Sequence, residues 1–303
     1  MSLTNFFFKI IYNGQINFLL RNTMYPFHKL LKPSIQIPPS GIISLKTDSG
    51  HIKIATNQTS YLTKLLFWEG YKSFEYSEIF ETLSKKADCF FDIGANIGYY
   101  SLLASKANPS LKIFAFEPAT GPKYYLKKNI SLNNLNNSII PVEYALSKES
   151  HDIDFYEVKS SKYDYLDKNL SGEHNTGTKT KTRNFVKTTV KAISLVNFIK
   201  DKNIQKIDLI KIDTEGTEVE ILESGKEYIE RFKPIVICET LFNTTENLLT
   251  DFFTRIGYDF YNHSKNGLKK VDTLYRLQDD GIRNCFFVPK EKSHLIAEFL
   301  SEN

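Results

Sequence analysis

Four short apolar runs in this chain end in carboxylates or amides. The run 89–93 carries Asp92 and leads through Gly94 to Asn96, and the run 111–116 ends at Glu117. The run 207–212 ends at Asp213 and Glu215, and the run 234–238 ends at Glu239. A carboxylate can accept hydrogen bonds from paired hydroxyls, balance a cation, or take up a proton. Ligands of open parallel sheets sit beyond the carboxyl ends of the strands. Four such ends meeting on one rim suit a ligand with ribose hydroxyls and a cationic part.

The elements that must position these groups are legible around residues 89–98. Cys89, Phe90, Phe91 and Ile93 form a run apolar enough for a strand buried on both faces, and it stops at Gly94. After Gly98, Tyr100, Leu103, Ala104 and Ala107 recur at helical spacing. The reading is strand, glycine turn, helix. Gly94 and Gly98 lack a Cβ, so a ligand could approach the backbone, and the first N–H groups of the helix point at it. The spacing is G-x-x-x-G, with Asn96 where a dinucleotide fingerprint has its second glycine. Glu117 ends the next strand, where it can accept from both hydroxyls of a ribose. Together these features favour an adenosine-containing ligand over a pyrophosphate; the bland alternative is a packing turn.

At 303 residues, with 41% apolar and 24% charged side chains, the composition is that of a globular chain with a sizeable core. Charge is uneven. Residues 1–47 contain five basic residues (Lys9, Arg21, Lys29, Lys32, Lys46) and no acid. The remainder therefore holds 34 basic and 35 acidic residues, so the excess charge lies in the first segment. That segment is also aromatic, which points residues 1–33 either to a peripheral contact with an anionic membrane surface or an acidic partner, or to an N-terminal helix packed on the domain with a solvated basic face. No apolar run approaches the ~20 residues of a membrane span. No small-residue cleavage site follows Phe6–Phe8, so a signal peptide is not expected. Cys89, Cys238 and Cys285 each sit inside an apolar run, which indicates a reducing, cytoplasmic compartment. No Cys/His group has metal spacing, and no nucleic-acid module is visible.

In order, residues 1–32 read as one or two amphipathic helices. Residues 41–57 read as two strands about Asp48-Ser49-Gly50, 67–71 as an aromatic turn, and 75–86 as a helix. Trp68 and Tyr71 could lid a ligand, although aromatic core is their commoner fate. Strands at 112–116, 139–144, 153–158 and 190–193 alternate with helices at 121–133 and 194–200. Residues 159–188 turn polar, with seven basic and three acidic residues, and read as a mobile, basic substrate loop, the alternative being a disordered surface insertion. After Asp213, Thr217 and Glu220 have capping-box spacing. A helix at 246–256 stops at Gly257, strands at 258–261, 273–277 and 285–288 complete the sheet, and 291–300 reads as a helix. Strand and helix alternate as a parallel sheet covered on both faces requires.

Three motifs carry a resemblance. Asp-Ile-Gly-Ala-Asn-Ile-Gly-Tyr-Tyr-Ser (92–101), Phe-Glu-Pro (116–118) and Ile-Lys-Ile-Asp-Thr-Glu-Gly-Thr-Glu (210–218) resemble the FkbM family of S-adenosylmethionine-dependent methyltransferases. Weaker matches at 143–147, 194–199 and 234–239 extend it across about 88–240. The resemblance implies an α/β, Rossmann-like class I fold: a mostly parallel seven-stranded sheet with helices on both faces. The domain would span 61–303, with a polar insertion at 159–188 and an appendage at 1–60. It also implies roles. Gly94, Asn96 and Gly98 would shape the turn under the methionine part of S-adenosylmethionine, with Asp92 orienting it. Glu117 would hold the ribose hydroxyls, and Tyr144 and Ala145 would lie near the adenine. Asp213 and Glu215 would sit beside the sulfonium and the acceptor.

The implied reaction is methyl transfer to a hydroxyl of a saccharide, glycolipid or other metabolite. In-line positioning would supply much of the rate. An alcohol acceptor calls for a base, for which Asp213, Glu215 and His174 are candidates. The layout also admits an NAD-dependent oxidoreductase, or a module that binds a nucleoside cofactor without catalysis.

Overall fold

The computed structural model describes residues 3–28, 36–160, 162–170, 185–214 and 216–301. The chain opens with helices α1 (Leu3–Ile11) and α2 (Gly14–Met24), then a hairpin of β1 (Gly41–Thr47) and β2 (Gly50–Thr56). Helices α3 (Tyr61–Glu69) and α4 (Ser77–Ser84) lead into β3 (Cys89–Ile93), α5 (Tyr99–Ala107), β4 (Lys112–Phe116), α6 (Thr120–Leu132) and β5 (Ile139–Val142). Three strands follow: β6 (Ala145–Ser147), β7 (Asp152–Val158) and β8 (Phe185–Ser194). The second half runs α7 (Leu195–Asp201), β9 (Leu209–Ile212), α8 (Glu218–Ser224), α9 (Lys226–Phe232), β10 (Ile235–Glu239) and α10 (Glu246–Arg255). Strands β11 (Tyr258–Ser264), β12 (Gly267–Val271) and β13 (Asn284–Pro289) complete it.

The main sheet has the order β12-β11-β13-β10-β9-β3-β4-β5. From β5 to β10 neighbouring strands are parallel, while β13 is antiparallel to both β10 and β11. This is the expected Rossmann-like α/β architecture with eight strands, not seven. The extra edge strand is β12, and it replaces the strand expected at 273–277. There Leu274 alone is buried, and Leu277 is 89% exposed, so the alternation in that run does not face a core. In β12 only Leu268 is buried, which is why its pattern is faint in the sequence.

Helices cover both faces, and β3 shows why the run 89–93 is apolar without a break. Phe90 packs on one side with Phe80, Tyr100, Ile113 and the hairpin residues Ile52 and Ile54. Phe91 packs on the other with Phe114, Phe116, Phe198 and Ile210. Successive side chains of a strand point to opposite faces, so a strand buried on both sides must be apolar at each position.

Several local expectations change. Residues 67–69 belong to α3, started by Ser60, whose hydroxyl accepts from Thr63 N at 3.2 Å. Trp68 and Tyr71 are buried in the core, Trp68 donating to Ile37 O at 3.0 Å, so neither lids a ligand. The polar stretch ends earlier than 188, because Phe185–Thr188 already pair with Phe155–Val158 in the β7–β8 ladder. Residue 161 and residues 171–184, including His174, lie outside the described residues. The tail at 291–300 forms two short 3₁₀ turns, Lys290–Leu295 and Ala297–Phe299. Only Ile296 of that tail is fully buried, too little to hold a longer amphipathic helix. Among the described residues no helix is long and apolar enough to cross a membrane.

One buried amide ties the hairpin to the glycine turn. Asn129 on α6 accepts from Ala55 N at 2.7 Å and donates to Ile97 O at 2.9 Å. Replacing it with Ala would strand a buried N–H and a buried C=O. Asn129→Ala should lower the unfolding free energy by about 3 kcal/mol. Urea denaturation measures this, and a loss below about 1 kcal/mol would show that the two groups find other partners.

Candidate functional site

A cavity of about 520 Å³ opens where the carboxyl ends of β3, β4 and β9 meet the β6–β7 connection. Asn96, Glu117, Tyr144, Lys211 and Asp213 all face it. Six carboxylates line it (Glu75, Glu117, Glu149, Asp154, Asp213, Glu220) against two lysines (Lys148, Lys211), so its potential favours a cation.

The turn after β3 is built from left-handed residues: Gly94 at φ +74°, Asn96 at +52° and Gly98 at +86°. Gly94 N and Ala95 N both donate to Phe116 O, at 3.1 and 2.9 Å, which ties the turn to β4. A Cβ on Gly94 would fall 1.9 Å from Asp213 O, and one on Gly98 would fall 2.5 Å from Leu126 Cδ1. The glycines are therefore required by φ and by protein packing, against the end of β9 and against α6. Gly94 lines the cavity, whereas Gly98 precedes α5 and stands behind it.

Glu117, at the tip of β4, is 4% exposed. Its Oε2 accepts from Asn96 N at 2.8 Å and its Oε1 from Ala119 N at 2.9 Å. Burial pushes its carboxyl up to about 7, against the opposing pull of those two N–H donors. Each carboxylate oxygen has one acceptor direction left beside the cavity.

Lys211 is the residue the sequence reading passed over. It sits on β9 directly opposite Asp92 on β3, and its ammonium donates to Gly94 O at 2.9 Å. Asp213 Oδ2 lies 3.5 Å away and Asp92 Oδ1 3.9 Å away. Burial alone would lower the Lys211 ammonium, but the carboxylates of Asp213, Asp92 and Glu75 outweigh it and hold it above its usual range. Asp92 is fully buried; its Oδ2 accepts from Ser101 Oγ at 2.6 Å, and its Oδ1 has no hydrogen-bond donor. Burial raises its carboxyl, with Lys211 and Ser101 pulling the other way. Asp92 thus stands one layer below the cavity, reaching it through Lys211. The available signal was a lone lysine in an apolar strand, two residues before Asp213 and so on the same face.

Asp213 reaches solvent, its side chain 44% exposed. The turn after it is closed by Glu218, whose Oε1 accepts from Thr214 N, Thr214 Oγ1 and Gly216 N at 2.9–3.0 Å. The expected capping box is absent. Thr217 Oγ1 donates to Thr214 Oγ1 instead, and Glu220 faces the cavity. A carboxylate two residues nearer the turn reaches its N–H groups first. Glu215 lies outside the described residues. Tyr144 and Ala145 both line the cavity, while Glu239, at the end of β10, does not. Glu75 was also missed: at φ +44° it accepts from Tyr100 Oη at 2.6 Å on the cavity wall. So were His151, Asp154 and Phe155, brought in by β7.

Residues 92–260 match the family model described as the methyltransferase FkbM domain. The hexuronic acid methyltransferase AglP of Haloferax volcanii is 26% identical over 155 residues, which are 51% of this chain and 56% of that protein. Methyltransferase sdnD of Sordaria araneosa is 27% identical over 171 residues, 48% of this chain and 64% of that one. The chain thus spans less than two thirds of the curated relatives it matches. A solved FkbM methyltransferase from Methylobacillus flagellatus KT is 14% identical, with a TM-score of 0.45, covering 76% of this chain and 54% of that one.

The buried ion pair predicts a coupling. Lys211→Met leaves Asp92 buried without a counter-charge and should cost about 3 kcal/mol of stability. The double variant Lys211→Met/Asp92→Asn should be more stable than the sum of the single losses by at least about 1 kcal/mol. A double-mutant cycle in urea reads this directly; strict additivity would mean that the two groups do not sense each other.

Proposed function

The chain belongs to the FkbM methyltransferase family, and from that membership we propose that it moves a methyl group from S-adenosylmethionine to a hydroxyl of a saccharide, glycolipid or related metabolite. The observation that carries this reading is Glu117. A buried carboxylate at a strand tip, fixed by two backbone N–H groups and keeping an acceptor direction on each oxygen, matches the paired hydroxyls of a ribose.

The remaining residues fit the same donor. Gly94 and Asn96 present backbone beside Glu117 for the amino-acid part, and Tyr144 and Ala145 offer a face for an adenine. The six-to-two excess of carboxylates over lysines suits a sulfonium cation. When bound, that sulfonium supplies an electrophilic methyl carbon. Asp92 contributes through Lys211 and acts as a positioning residue.

Lys211 holds Asp213 by Oδ2, which leaves Oδ1 toward the acceptor. Oδ1 orients the acceptor hydroxyl and takes its proton as the oxygen forms its new bond. Much of this role is orientation of the hydroxyl in line with the methyl and its sulfur. His151, Asp154 and Phe155, on the β7 side, combine hydrogen-bonding groups with an aromatic face, as a sugar hydroxyl array requires. The relative named a hexuronic acid methyltransferase supports a saccharide acceptor.

Two outcomes test this. Ionised Glu117 accepts from ribose hydroxyls better than its protonated form does. Raising the pH from 6 to 8 through its value of about 7 should therefore tighten S-adenosylhomocysteine binding, by up to about tenfold for one titrating group. Glu117→Gln should bind more weakly and with a flat pH profile; calorimetry that finds the parent's affinity and slope in this variant would place the ribose elsewhere. Separately, Asp213→Ala should reduce turnover by about 10²–10⁴-fold. It should leave S-adenosylhomocysteine binding within about tenfold, or 1.4 kcal/mol. Methyl transfer from labelled donor to a panel of saccharide acceptors gives the first number, and full turnover would remove Asp213 from the acceptor side.

A further inference from the structure

Helix α2 is packed inside out. Its buried residues are Asn17 and Arg21, at 0% and 1% exposure, while Phe18 and Leu19 stand 53% and 63% exposed. The polar pair is hydrogen-bonded through both terminal nitrogens of Arg21 and both polar atoms of the Asn17 amide, with Arg21 Nε left without a partner among the described residues. Arg21 donates to Asn17 Oδ1 at 2.7 Å and to Ser40 O at 2.8 Å, and it also donates to Ile42 O. Asn17 donates to Pro38 O at 3.1 Å and accepts from Ser40 N at 2.8 Å. These bonds fix which face points inward, so the apolar face cannot turn to the core. Helix α1, next in the chain, likewise exposes Phe6, Phe7 and Ile10. An amphipathic helix on a protein surrounded only by water has the opposite polarity. A concentrated aromatic and aliphatic patch of this kind marks a surface that something covers.

The charge around the patch identifies the cover. Among the described residues of the segment 1–47, Lys9 and Lys46 are exposed cations, while Arg21 is buried. The exposed strand positions of the hairpin include Lys46 and Lys53, and an open groove between Phe18, Leu19, Ile42 and Tyr125 is edged by exposed Lys128. Two acids lie by this face and both have partners: Asp164 accepts from Asn5 at 2.7 Å, and Asp48, in the hairpin turn, pairs with Lys72 at 3.0 Å. A second copy of the chain would meet this face with the same cations, because a two-fold interface sets identical patches against each other. An anionic lipid surface meets the cations with phosphates and the aromatic side chains with acyl chains. We infer that α1, the outer face of α2 and the β1–β2 hairpin form a peripheral docking surface for an anionic lipid bilayer. This inference stands on the inverted helix and the charge, and does not depend on the methyl-donor assignment.

The test is flotation of the full chain with vesicles of phosphatidylcholine, alone or mixed with about one-third phosphatidylglycerol. The parent should float with the mixed vesicles, much less with the neutral ones, and less again at roughly 1 M NaCl. Phe18→Glu/Leu19→Glu changes two exposed side chains and should cut recovery at least about tenfold with an unchanged melting midpoint. Should that midpoint fall, Lys46→Glu/Lys53→Glu carries the test and should lower recovery in the same way. Failure of the parent to float, or equal recovery of a folded variant, overturns the inference. So does light scattering that shows a parent dimer broken by Phe18→Glu/Leu19→Glu while neither protein floats, for the cover is then a second copy.

Discussion

The buried ammonium of Lys211 constrains this structure more than any other single group. It lies in the middle of the sheet, directly opposite Asp92 in the parallel register of β3 and β9. An unpaired charge at such a place would cost several kcal/mol, so the register is chosen as much by this pair as by packing. A slip of one residue would set Lys211 against Phe91 or Ile93 and send it to the opposite face. The same ammonium also binds the carbonyl of Gly94 and reaches Asp213. One group therefore joins the strand pairing, the glycine turn and the exposed carboxylate. The contact of Gly94 with the Asp213 carbonyl makes the coupling mutual, since neither strand end can move without the other.

This coupling gives the cavity two kinds of carboxylate. Glu117 and Asp92 are buried, and burial raises both. Asp213 stands at the boundary with solvent, next to the cation that balances it. Two acids with opposed environments, each the first residue past one of the two strands that flank β3, can do different work. The buried one is fixed in place by backbone N–H donors and suits recognition. The half-exposed one keeps an oxygen for an incoming group and suits a reacting hydroxyl. The lining is acidic on several sides, an excess that favours a cation.

The alternation of strand and helix was readable because buried parallel strands are continuous apolar runs, and β3, β4, β9 and β10 all are. The strand ends followed, since Glu117 and Asp213 each interrupt such a run. What stayed hidden had a common cause: the signal was tertiary. Lys211 reads as a blemish in an apolar strand until Asp92 is found beside it. Glu75 and Asp154 belong to segments far from the motifs, and only the way α4 and β7 close over the sheet brings them to the cavity. Gly94 and Gly98 were identified as turn residues from their spacing, but the neighbours that require them, Asp213 and Leu126, lie more than a hundred residues and nearly thirty residues away. Trp68 followed the commoner fate of an aromatic, the core, in a helix whose start is set by the Ser60 cap.

Helix α2 shows the same limit in a sharper form. Periodicity reveals that a helix has two faces; it does not say which one faces inward. Here the choice is made by backbone carbonyls at the entry to β1. Ser40 O and Ile42 O lie where the chain turns into the hairpin, and an unsatisfied carbonyl in a buried position costs more than exposing one apolar side chain recovers. Arg21 and Asn17 answer those groups, and with Phe67 the guanidinium also meets a ring at 5.3 Å. Once that polar face is committed to the interior, Phe18 and Leu19 have only the outside left. Their exposure is thus the consequence of the hydrogen bonds that Arg21 and Asn17 make beneath them.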